Sequence, residues 1–410
     1  MIAALRSRAA AVSARRSFGA VAAAAITFVV VLASSHLRST HQNNYVRVAY
    51  AWLHGRMWID WPGRWMDAVQ YNGHYYGVDG PVPALFMLPL VAIWGNAANQ
   101  TIVAIFFAAV AAGLAWTLAE RLGVADASTR VFLLLFFVAG TDVWWCAMLG
   151  DVWFLAHLCA VAFVLGALVE LRGRCRGWLV ALCAVLAAGA RFPEVAAFPL
   201  FAWALTTGAL AERPPTREER FARLRSASIV FACAVVAFIG YDELMWGTFY
   251  DIGHTVYYHA DAWGAPTGSP FQLSYVPYQI YSFFFRAPML VEWLQHVQWP
   301  YVKPDTNGIA LTFTSPALVL AFRAKTPVHV VRALAITTLL VAIPELTYYL
   351  NGWVQFGMRH FLDMLPYVFA LMCIGVRERL PRWGVGLIVY SAIVGAWGVW
   401  YWNNFVRTGT

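Results

Sequence analysis

The alternation of apolar and polar segments along the chain predicts an all-α polytopic membrane protein. Long apolar runs are separated by short polar segments over most of the 410 residues. A membrane-spanning helix needs about 20 mainly apolar residues. Eleven runs approach that length, at 18–35, 98–119, 128–147, 151–171, 177–190, 193–211, 227–245, 306–323, 330–349, 358–376 and 384–402. We therefore predict a bundle of about 11 transmembrane helices.

Composition agrees with this pattern and excludes most soluble classes. The chain is 61% hydrophobic and only 12% charged. A soluble domain carries about 25% charged residues, so this chain lacks the charge needed to cover a water-exposed surface. No stretch is polar enough to form a soluble domain, and only residues 403–410 follow the last apolar run. We expect one integral membrane domain over 1–410.

The net charge of +8 comes from basic residues that gather between the apolar runs. Such clusters mark cytoplasmic loops, so the charge indicates orientation and not nucleic-acid binding. Placing every cluster in the cytoplasm requires that one apolar run does not cross. The run 81–94 is short and holds three prolines, which predicts a juxtamembrane helix on the outer face. The clusters lie at the N-terminus and at 172–176, 213–225, 323–332 and 377–382.

This topology predicts two long external loops, at 36–97 and 246–305. The second loop is rich in aromatic residues, and its segment 271–286 is expected to lie along the membrane interface, where Trp and Tyr are enriched. The first apolar run is either a signal peptide or an uncleaved span. We favour the uncleaved span with a cytoplasmic N-terminus, because no clear small-x-small cleavage site precedes His36.

The cysteines carry no sign of chemistry, while the general composition suits a bacterial inner membrane. Six cysteines lie almost entirely within apolar runs and show no CxxC spacing, so they predict neither a disulfide framework nor a zinc site. The Ala- and Arg-rich sequence is typical of a bacterial plasma-membrane protein.

Ionisable residues in or near the predicted spans fall at the outer ends of helices. Charges at membrane depth are costly and usually functional, so their gathering predicts one polar cavity that opens outward. The alternative is that many of them are interfacial charges or helix-end partners. They are Asp142, Asp151, Arg191, Glu194, Asp242, Glu243, Glu345, Arg359, His360 and Asp363, on the same side as Asp60, Asp67 and Asp79 of the first loop.

Three short segments carry candidate chemistry. In the first loop, Asp67 precedes the Tyr- and Gly-rich turn at 71–77, which suits close approach to a ligand, although Trp and Tyr anchors on a surface loop explain it too. RFPE at 191–194 lies between two apolar runs and offers either a ligand site or a cap and ion pair. In GMRHFLDMLP at 357–366, Arg359 opens a span and is either a bidentate phosphate ligand or an interfacial anchor.

These segments, taken in order, resemble the GT-C superfamily of integral membrane glycosyltransferases, distantly its mannosyltransferase and aminoarabinose-transferase branches. The matching order is a first span, a long external loop, a juxtamembrane helix and two later motifs. Members of that superfamily use sugars linked to polyprenyl phosphate as donors. The matching positions are Asn44/Tyr45/Gly55, Asp67/Tyr71/Gly73/Tyr76/Pro81/Pro83, Arg191/Pro193 and Gly357/Arg359/Asp363/Pro366.

The resemblance implies an inverting transfer of a sugar to a cell-envelope acceptor hydroxyl at the outer, periplasmic face. Family members carry an acidic residue soon after the first span, where this chain has Asn43 and Asn44. The expected catalytic base is therefore Asp67, with Asp79 and Asp60 as further candidates. The donor phosphate is assigned to Arg359, His360 and Arg191, the sugar or acceptor to Asn44, Tyr71, His74, Tyr76 and Glu194, and the wall beside the lipid tail to Trp144, Trp145 and Trp153.

Other functions stay open at this level. The chain could instead be a lipid-linked-sugar flippase or a small-solute transporter, or a structural subunit of an envelope complex. The expected partners are a polyprenyl-phosphate-linked sugar, a lipid-linked or envelope glycan acceptor and membrane lipid. No cofactor or metal site is predicted. His254, His259, Asp251 and Asp261 could bind a divalent cation, but a solvated loop is the favoured explanation of these residues.

Overall fold

The computed structural model describes residues 2–61, 63, 66–211, 213–260, 269–293 and 296–406. Within these ranges, side chains are described except at 2–17, 258–260 and 293. The described chain is mostly helical. Its α-helices, in chain order, are α1 Ile2–Ser35, α2 Asn44–Leu53, α3 Val82–Trp94, α4 Gln100–Arg121, α5 Ala127–Ala139, α6 Val143–Leu149, α7 Val152–Leu171, α8 Gly177–Ala190, α9 Phe198–Thr207, α10 Arg217–Trp246, α11 Gly253–Ala260, α12 Val276–Phe284, α13 Leu311–Thr314, α14 Val328–Thr347, α15 Leu365–Val376 and α16 Arg382–Tyr401.

Irregular helices extend or connect several of these elements. A π-helical turn at Trp402–Val406 continues α16. Short 3-10 segments lie at Gly95–Ala97, Phe192–Ala197, Leu273–Tyr275, Pro316–Arg323 and Arg359–Asp363. The segment Arg359–Asp363 matters most for function, because it carries ionisable residues into the interior just before α15.

The helical content agrees with a polytopic membrane protein, but the predicted count of eleven spans is not confirmed. In the described residues, six helices are long and apolar enough to cross a membrane, or seven if the bent pair α5 and α6 is one span. Helical segments also occupy the other predicted runs. They are short or irregular there, as in α8, α9, α15 and Pro316–Arg323.

Helix α7 lies at the centre of the bundle. In the most apolar part of α7, 83% of the residues are buried. The helix packs against both α4 and α8. By contrast, none of the apolar window of α10 is buried. A helix that is apolar all round is either enclosed by protein or faces lipid, so α7 forms the core and α10 lies at the periphery.

Two small β-hairpins depart from the all-helical expectation. Strand β1, Ala68–Tyr71, pairs antiparallel with β2, His74–Gly77. Asn72 and Gly73 connect them with φ angles of 47° and 80°, as the favoured two-residue hairpin turn requires at both positions. A second hairpin joins β3, Met289–Trp293, to β4, His296–Lys303. The pair Asn72-Gly73 is the sequence signal for the first hairpin. The pattern of long apolar runs does not reveal it.

The run at 81–94 forms helix α3, as predicted from its length and charge parity, and this helix is tied closely to the bundle. It packs against α2, α4, α7 and α8. Gln100 at the start of α4 donates from Nε2 to the carbonyl oxygens of Gln42, at 3.2 Å, and Gly150, at 2.7 Å. These contacts hold the first loop over the N-terminal end of α7, where the candidate site lies.

Close packing between α16 and α5 generates a prediction about stability. A Cβ atom at Gly395 would fall well inside the van der Waals distance of the Ala139 carbonyl oxygen, whereas one at Gly386 would meet nothing within 4 Å. We expect Gly395→Ala to destabilise the fold by about 1–3 kcal/mol, the usual cost of overpacking. Thermal unfolding in detergent should show a lower midpoint. Gly386→Ala is the control on the same helix, and equal midpoints for the two variants would contradict the packing.

Candidate active site

The polar side chains in the interior gather along one face of α7. Trp153 and His157 are four residues apart and therefore project from the same side of the helix, one turn from each other. Trp153 contacts the first loop and the segment Arg359–Asp363. His157 contacts that segment one turn further into the bundle. Two polar clusters thus lie next to each other on a single rigid element.

The outer cluster is built around Asp67. The Trp153 Nε1–H group donates to Asp67 Oδ2 at 2.6 Å, and the Tyr257 hydroxyl donates to Oδ1 at 2.9 Å. Tyr257 belongs to α11, in the second of the two long predicted loops, so residues of both loops meet at this carboxylate. Hydrogen bonds donated to both oxygens favour the ionised form of a carboxyl group.

A second carboxylate, Asp79, lies beside Asp67 and shares a partner with it. Asn44 Nδ2 donates to the Asp67 carbonyl oxygen and to Asp79 Oδ2, each at 3.0 Å. Burial, with the neighbouring charge of Asp67, raises the pKa of Asp79 to about 7. Two neighbouring carboxylates resist carrying two charges together, so Asp79 gains or loses its proton near neutral pH.

Arg359 lies over the face of the same tryptophan whose N–H edge contacts Asp67. Its guanidinium carbon lies 5.0 Å from the Trp153 ring centroid and 5.3 Å from that of Phe154, as in cation–π contacts. Nη1 donates to the Trp353 carbonyl oxygen at 3.4 Å, while the buried Nε has no hydrogen-bond partner in the part of the chain that the structure describes. Arg359 is only 6% exposed. A cation and a carboxylate therefore both contact one indole ring.

The inner cluster is organised by Arg191, which follows α8. Its Nε and Nη2 donate to Asp363 Oδ2 at 3.0 and 2.8 Å, and Nη2 also donates to Glu345 Oε1 at 2.8 Å. Each carboxylate in turn contacts a histidine. His157 Nδ1 lies 2.6 Å from Asp363 Oδ1, and His360 Nδ1 hydrogen-bonds Glu345 Oε2. The result is two carboxylate–imidazole pairs held by one guanidinium.

Several predicted site residues are brought together by these clusters. Asn44, Asp67 and Asp79 meet in the outer cluster, and Arg359 joins them through Trp153. Arg191 and His360 belong to the inner cluster, where Arg191 engages carboxylates with Nε and Nη2. These ion pairs use Nε and Nη2 of Arg191, and its expected contact with phosphate stays a prediction.

Glu194 is buried next to the inner cluster. It accepts a hydrogen bond from the Tyr367 hydroxyl at 2.6 Å through Oε2, and its Oε1 has no hydrogen-bond partner. Its side chain therefore offers one free acceptor to the interior, which is compatible with the expected role in holding a sugar.

Asp60 and His74 lie apart from these hydrogen bonds. Asp60 forms an exposed ion pair with Arg56 at 2.7 Å, and the Asp60 side chain is 65% exposed. The hydrogen bond from Arg56 lowers the pKa of Asp60. His74 is exposed at the hairpin and stacks on Trp58, with ring centroids 4.5 Å apart. Neither contacts the residues around Asp67 through a hydrogen bond.

Tyr71 and Tyr76 serve the packing of the first hairpin. Both rings lie against Trp246 at the end of α10, with centroids 5.8 and 4.9 Å away. Together with Val69 and Met245 they form a small apolar cluster that attaches the hairpin to the bundle. These tyrosines therefore support the loop that carries Asp67.

The three tryptophans expected beside the lipid tail have different surroundings. Trp145 is 1% exposed and packs against Phe154 and Trp402, so it belongs to the protein core and not to a lipid-facing wall. Trp144 donates from Nε1 to Ser34 Oγ at 2.8 Å. Trp153 is part of the site itself.

His157 and Tyr257 are site residues that the sequence reasoning missed. An imidazole inside an apolar run is a signal in itself, because polar groups at membrane depth are usually functional. His157 carries that signal, because it lies inside the apolar run 151–171. Tyr257 carried none, since tyrosines abound in the second loop and nothing in the sequence links it to Asp67.

The described residues contain no group of three or more His, Cys, Asp or Glu side chains placed to hold a metal ion. In the second loop, His254 Nδ1 lies 2.8 Å from Asp251 Oδ2. This hydrogen bond raises the pKa of His254 and, despite the opposing effect of burial, lowers that of Asp251. Asp261 and the side chain of His259, the other members of the predicted cation alternative, lie outside the described residues.

The interior of the site presents polar atoms that have no hydrogen-bond partner among the described residues. Each belongs to a residue that is at least nine-tenths buried. They include both hydrogen-bond donors and acceptors, which suits a hydroxylated ligand. These atoms are Asn44 Oδ1, Tyr45 OH, His157 Nε2, Glu194 Oε1, Arg359 Nε and His360 Nε2.

Comparison with known proteins adds no function to this geometry. No family model matches the chain, and neither a curated protein nor a solved structure matches it significantly. The function therefore has to be argued from the chemistry of the two clusters.

The ion pairs of the inner cluster generate a prediction about stability. Asp363 is fully buried and receives hydrogen bonds from Arg191. Removing one partner of a buried ion pair leaves a buried charge without compensation and costs about 3–5 kcal/mol. We expect Asp363→Asn to lower the unfolding midpoint strongly. Asp60→Asn, in the exposed pair with Arg56, should cost less than about 1 kcal/mol. Similar losses in the two variants would refute the assignment.

Proposed function

We propose that this protein is a polyprenyl-phosphate-sugar-dependent glycosyltransferase of the GT-C type. It transfers a sugar with inversion to a cell-envelope acceptor hydroxyl. The observation that carries the proposal is that Asp67 and Arg359 both contact Trp153, Asp67 at the N–H edge of the indole and Arg359 over its face. A carboxylate and a buried guanidinium in one site are the base and the phosphate ligand that such a transfer needs.

Asp67 acts as the general base. The acceptor oxygen attacks the anomeric carbon, its proton passes to the carboxylate, and the bond from that carbon to the phosphate oxygen breaks. The hydrogen bonds that Trp153 and Tyr257 donate to Asp67 favour the carboxylate form that a base requires. Its neighbour Asp79 is the second candidate, and its ionisation above about pH 7 makes Asp67 a stronger base.

Arg359 binds the phosphate of the donor. Its buried Nε has no hydrogen-bond partner among the described residues, so a phosphate oxygen would complete its hydrogen bonding. Charge develops on the leaving phosphate as the glycosidic bond breaks, and a fixed cation in a site shielded from water stabilises that charge. His360 is adjacent in sequence and offers Nε2 to the same region.

The proposed orientation follows from the basic clusters of the sequence. With a cytoplasmic N-terminus and about 11 spans, both long loops face the periplasm of a bacterial inner membrane. Asp67 comes from the first loop and Tyr257 from the second. The reaction therefore takes place at the outer face, where a lipid-linked donor enters sideways from the bilayer.

The first test is a transfer assay with purified protein in nanodiscs. Radiolabelled polyprenyl-phosphate sugars serve as donors and a membrane lipid extract as acceptor. We expect Asp67→Asn to reduce label transfer by about 10²–10⁴-fold, the usual contribution of a general base, while donor binding survives. Arg359→Ala should weaken donor binding, and Arg359→Lys should restore it only in part because lysine lacks the planar guanidinium.

Asp60→Asn is the matched control, because Asp60 is a carboxylate of the same loop that lies outside the site. It should keep wild-type transfer. Wild-type protein that neither transfers label nor binds any donor would refute the enzyme and favour a solute transporter, to be measured in proteoliposomes. Unchanged transfer in both Asp67→Asn and Arg359→Ala would remove the assigned roles.

The raised pKa of Asp79 predicts how transfer depends on pH. Asp79 ionises near pH 7, and its charge then increases the proton affinity of Asp67. We expect kcat/KM to rise as pH increases through about 7. In Asp79→Asn this step should vanish while transfer persists, if Asp67 is the base. Loss of transfer at every pH in Asp79→Asn, with binding intact, would instead assign the base to Asp79.

A further inference from the structure

The second hairpin, β3–β4, exposes many apolar and aromatic side chains. Trp299 is 63% exposed, and its ring centroid lies 5.6 Å from that of Tyr301, which is exposed as well. Val297 on the same strand and Met289 and Leu290 on β3 are also exposed. Exposed apolar patches of this kind mark surfaces that contact another protein, a ligand or a membrane. The hairpin is therefore an interaction surface.

Ring contacts place this hairpin at one end of α16. The ring centroid of Trp299 lies 5.8 Å from that of Trp400, one residue before the end of the helix. Trp402, just after α16, contacts Trp145 of α6, which in turn contacts Phe154 near the start of α7. The hairpin thus lies on the side of the molecule where α7 begins, which is the side of the candidate site.

The length of α16 gives the depth of the surface beside it. The helix Arg382–Tyr401 has 20 residues, so it is about 30 Å long, the thickness of the hydrocarbon core of a bilayer. It is one of the helices that are long and apolar enough to cross a membrane. Charged Arg382 marks one boundary of the core, and the other boundary lies near Tyr401. Trp299, which contacts Trp400, therefore lies at the membrane interface, where tryptophan is enriched.

A groove extends from the hairpin along α16 toward the middle of the bilayer. Its volume is about 260 Å³. On α16 it reaches from Trp397 to Tyr390, which is about 6 to 16 Å from the end of the helix at 1.5 Å per residue. The lining is entirely aliphatic or aromatic and comes from Val302, Phe313, Tyr390, Ile393, Val394 and Trp397.

The surroundings of the groove indicate what fills it. Ile393 lines the groove and is nevertheless exposed, so the groove opens on the outer surface of α16. At this depth of a membrane-spanning helix, an exposed apolar side chain faces lipid. Water would find no polar partner on an aliphatic and aromatic lining, and apolar cavities stay dry. A hydrocarbon chain from the bilayer is therefore the fitting occupant.

The groove is built from parts of the chain other than those that form the candidate site. Its lining comes from β4, α13 and α16, whereas Arg359 lies over the rings of Trp153 and Phe154 on α7. Phe356, three residues before Arg359, is 2% exposed and packs on Trp397 with ring centroids 5.7 Å apart. A packed ring thus separates the groove from the start of the Arg359 segment. We therefore assign the groove to a lipid of the surrounding bilayer and not to the sugar donor.

We propose that the β3–β4 hairpin and α16 form a binding surface for bilayer phospholipid. The hairpin lies at the membrane interface on the side of the candidate site, and one acyl chain fills the groove beside Val302. An isolated two-stranded hairpin is marginally stable in water, so contact with lipid also stabilises this hairpin. The inference depends on the position of α16 in the bilayer and not on the transferase function.

The first measurement locates the hairpin. Val297→Cys carries an environment-sensitive fluorophore, in a protein with Cys233→Ser to remove the exposed cysteine. In phosphatidylcholine nanodiscs, a spin label on the acyl chain near the headgroup should quench the fluorophore strongly, and iodide in the water should quench it weakly. Asp60→Cys in the same background is the control, because Asp60 is exposed in the first loop, and it should show the reverse. Strong quenching by iodide at both positions would overturn the interfacial hairpin.

The second measurement locates the acyl chain. Phosphatidylcholine with a diazirine in its acyl chain is photolysed in the nanodiscs, and adducts are mapped by mass spectrometry. We expect adducts at Phe313 and Trp397. Ile393→Trp fills the groove and should reduce the adducts at Phe313 several-fold. Val389→Trp is the matched control, since Val389 is an exposed residue of the same helix outside the groove lining, and it should leave these adducts unchanged.

Two outcomes would overturn the groove assignment in variants whose thermal midpoints show them to be folded. The first is equal labelling of Phe313 in Ile393→Trp and Val389→Trp. The second is loss of the adducts when bare polyprenyl phosphate is added, which would assign the groove to the donor lipid. Sugar transfer in the same nanodiscs tests the proposed function separately. Adducts without transfer would support the lipid surface alone, and transfer without adducts would support the transferase alone.

Discussion

The hydrogen bonds from Arg191 to two carboxylates are the interaction on which the rest of the site depends. Arg191 follows α8, Glu345 lies near the end of α14, and Asp363 ends the segment before α15. One guanidinium therefore joins three parts of the chain that are far apart in sequence. Buried charges are tolerated only when they are paired, so these segments are held together by the cost of separating them. The same bonds orient His157 and His360 through their carboxylates.

Helix α7 transmits this order to the outer cluster. His157 is fixed by Asp363, and Trp153 lies one turn away on the same rigid helix. Trp153 in turn contacts both Asp67 and Arg359. Loops are usually more mobile than the helices they connect. The loop that carries Asp67 is restrained by Asn44, by Trp153 and by the packing of the first hairpin. A loop residue thus gains the precision that catalysis demands.

Hydropathy and charge were sufficient to predict the helices but not their partners. Apolar runs mark where helices form, and the proline-rich run at 81–94 indeed forms α3. Because α7 is apolar on every side, its periodicity does not show which face meets which neighbour. The number of spans also escapes prediction, since the run at 306–323 contains a short helix and a 3-10 segment after Pro316. Length alone does not distinguish such a segment from a straight span.

The sequence indicates several residues of the candidate site but not the contacts between them. Asn44, Asp67, Asp79 and Arg359 were identified from sequence and share hydrogen bonds or a stacking partner. The sequence does not show that two distant carboxylates accept hydrogen bonds from Arg191. Nor can it reveal Tyr257, whose contact with Asp67 depends on how the second loop folds.

The carboxylates near Arg359 would affect both the binding of a phosphate ligand and its release. Asp67 contacts the same tryptophan as Arg359, and Asp79 lies beside Asp67, so in the proposed reaction Arg359 would hold the singly charged donor phosphate against nearby negative groups. In the proposed transfer, the released lipid phosphate would carry more negative charge than the donor, and repulsion from these carboxylates would grow with it. Under this proposal, Arg359 would stabilise the transition state while the carboxylates disfavour retention of the product. An enzyme that binds its product weakly avoids a slow release step.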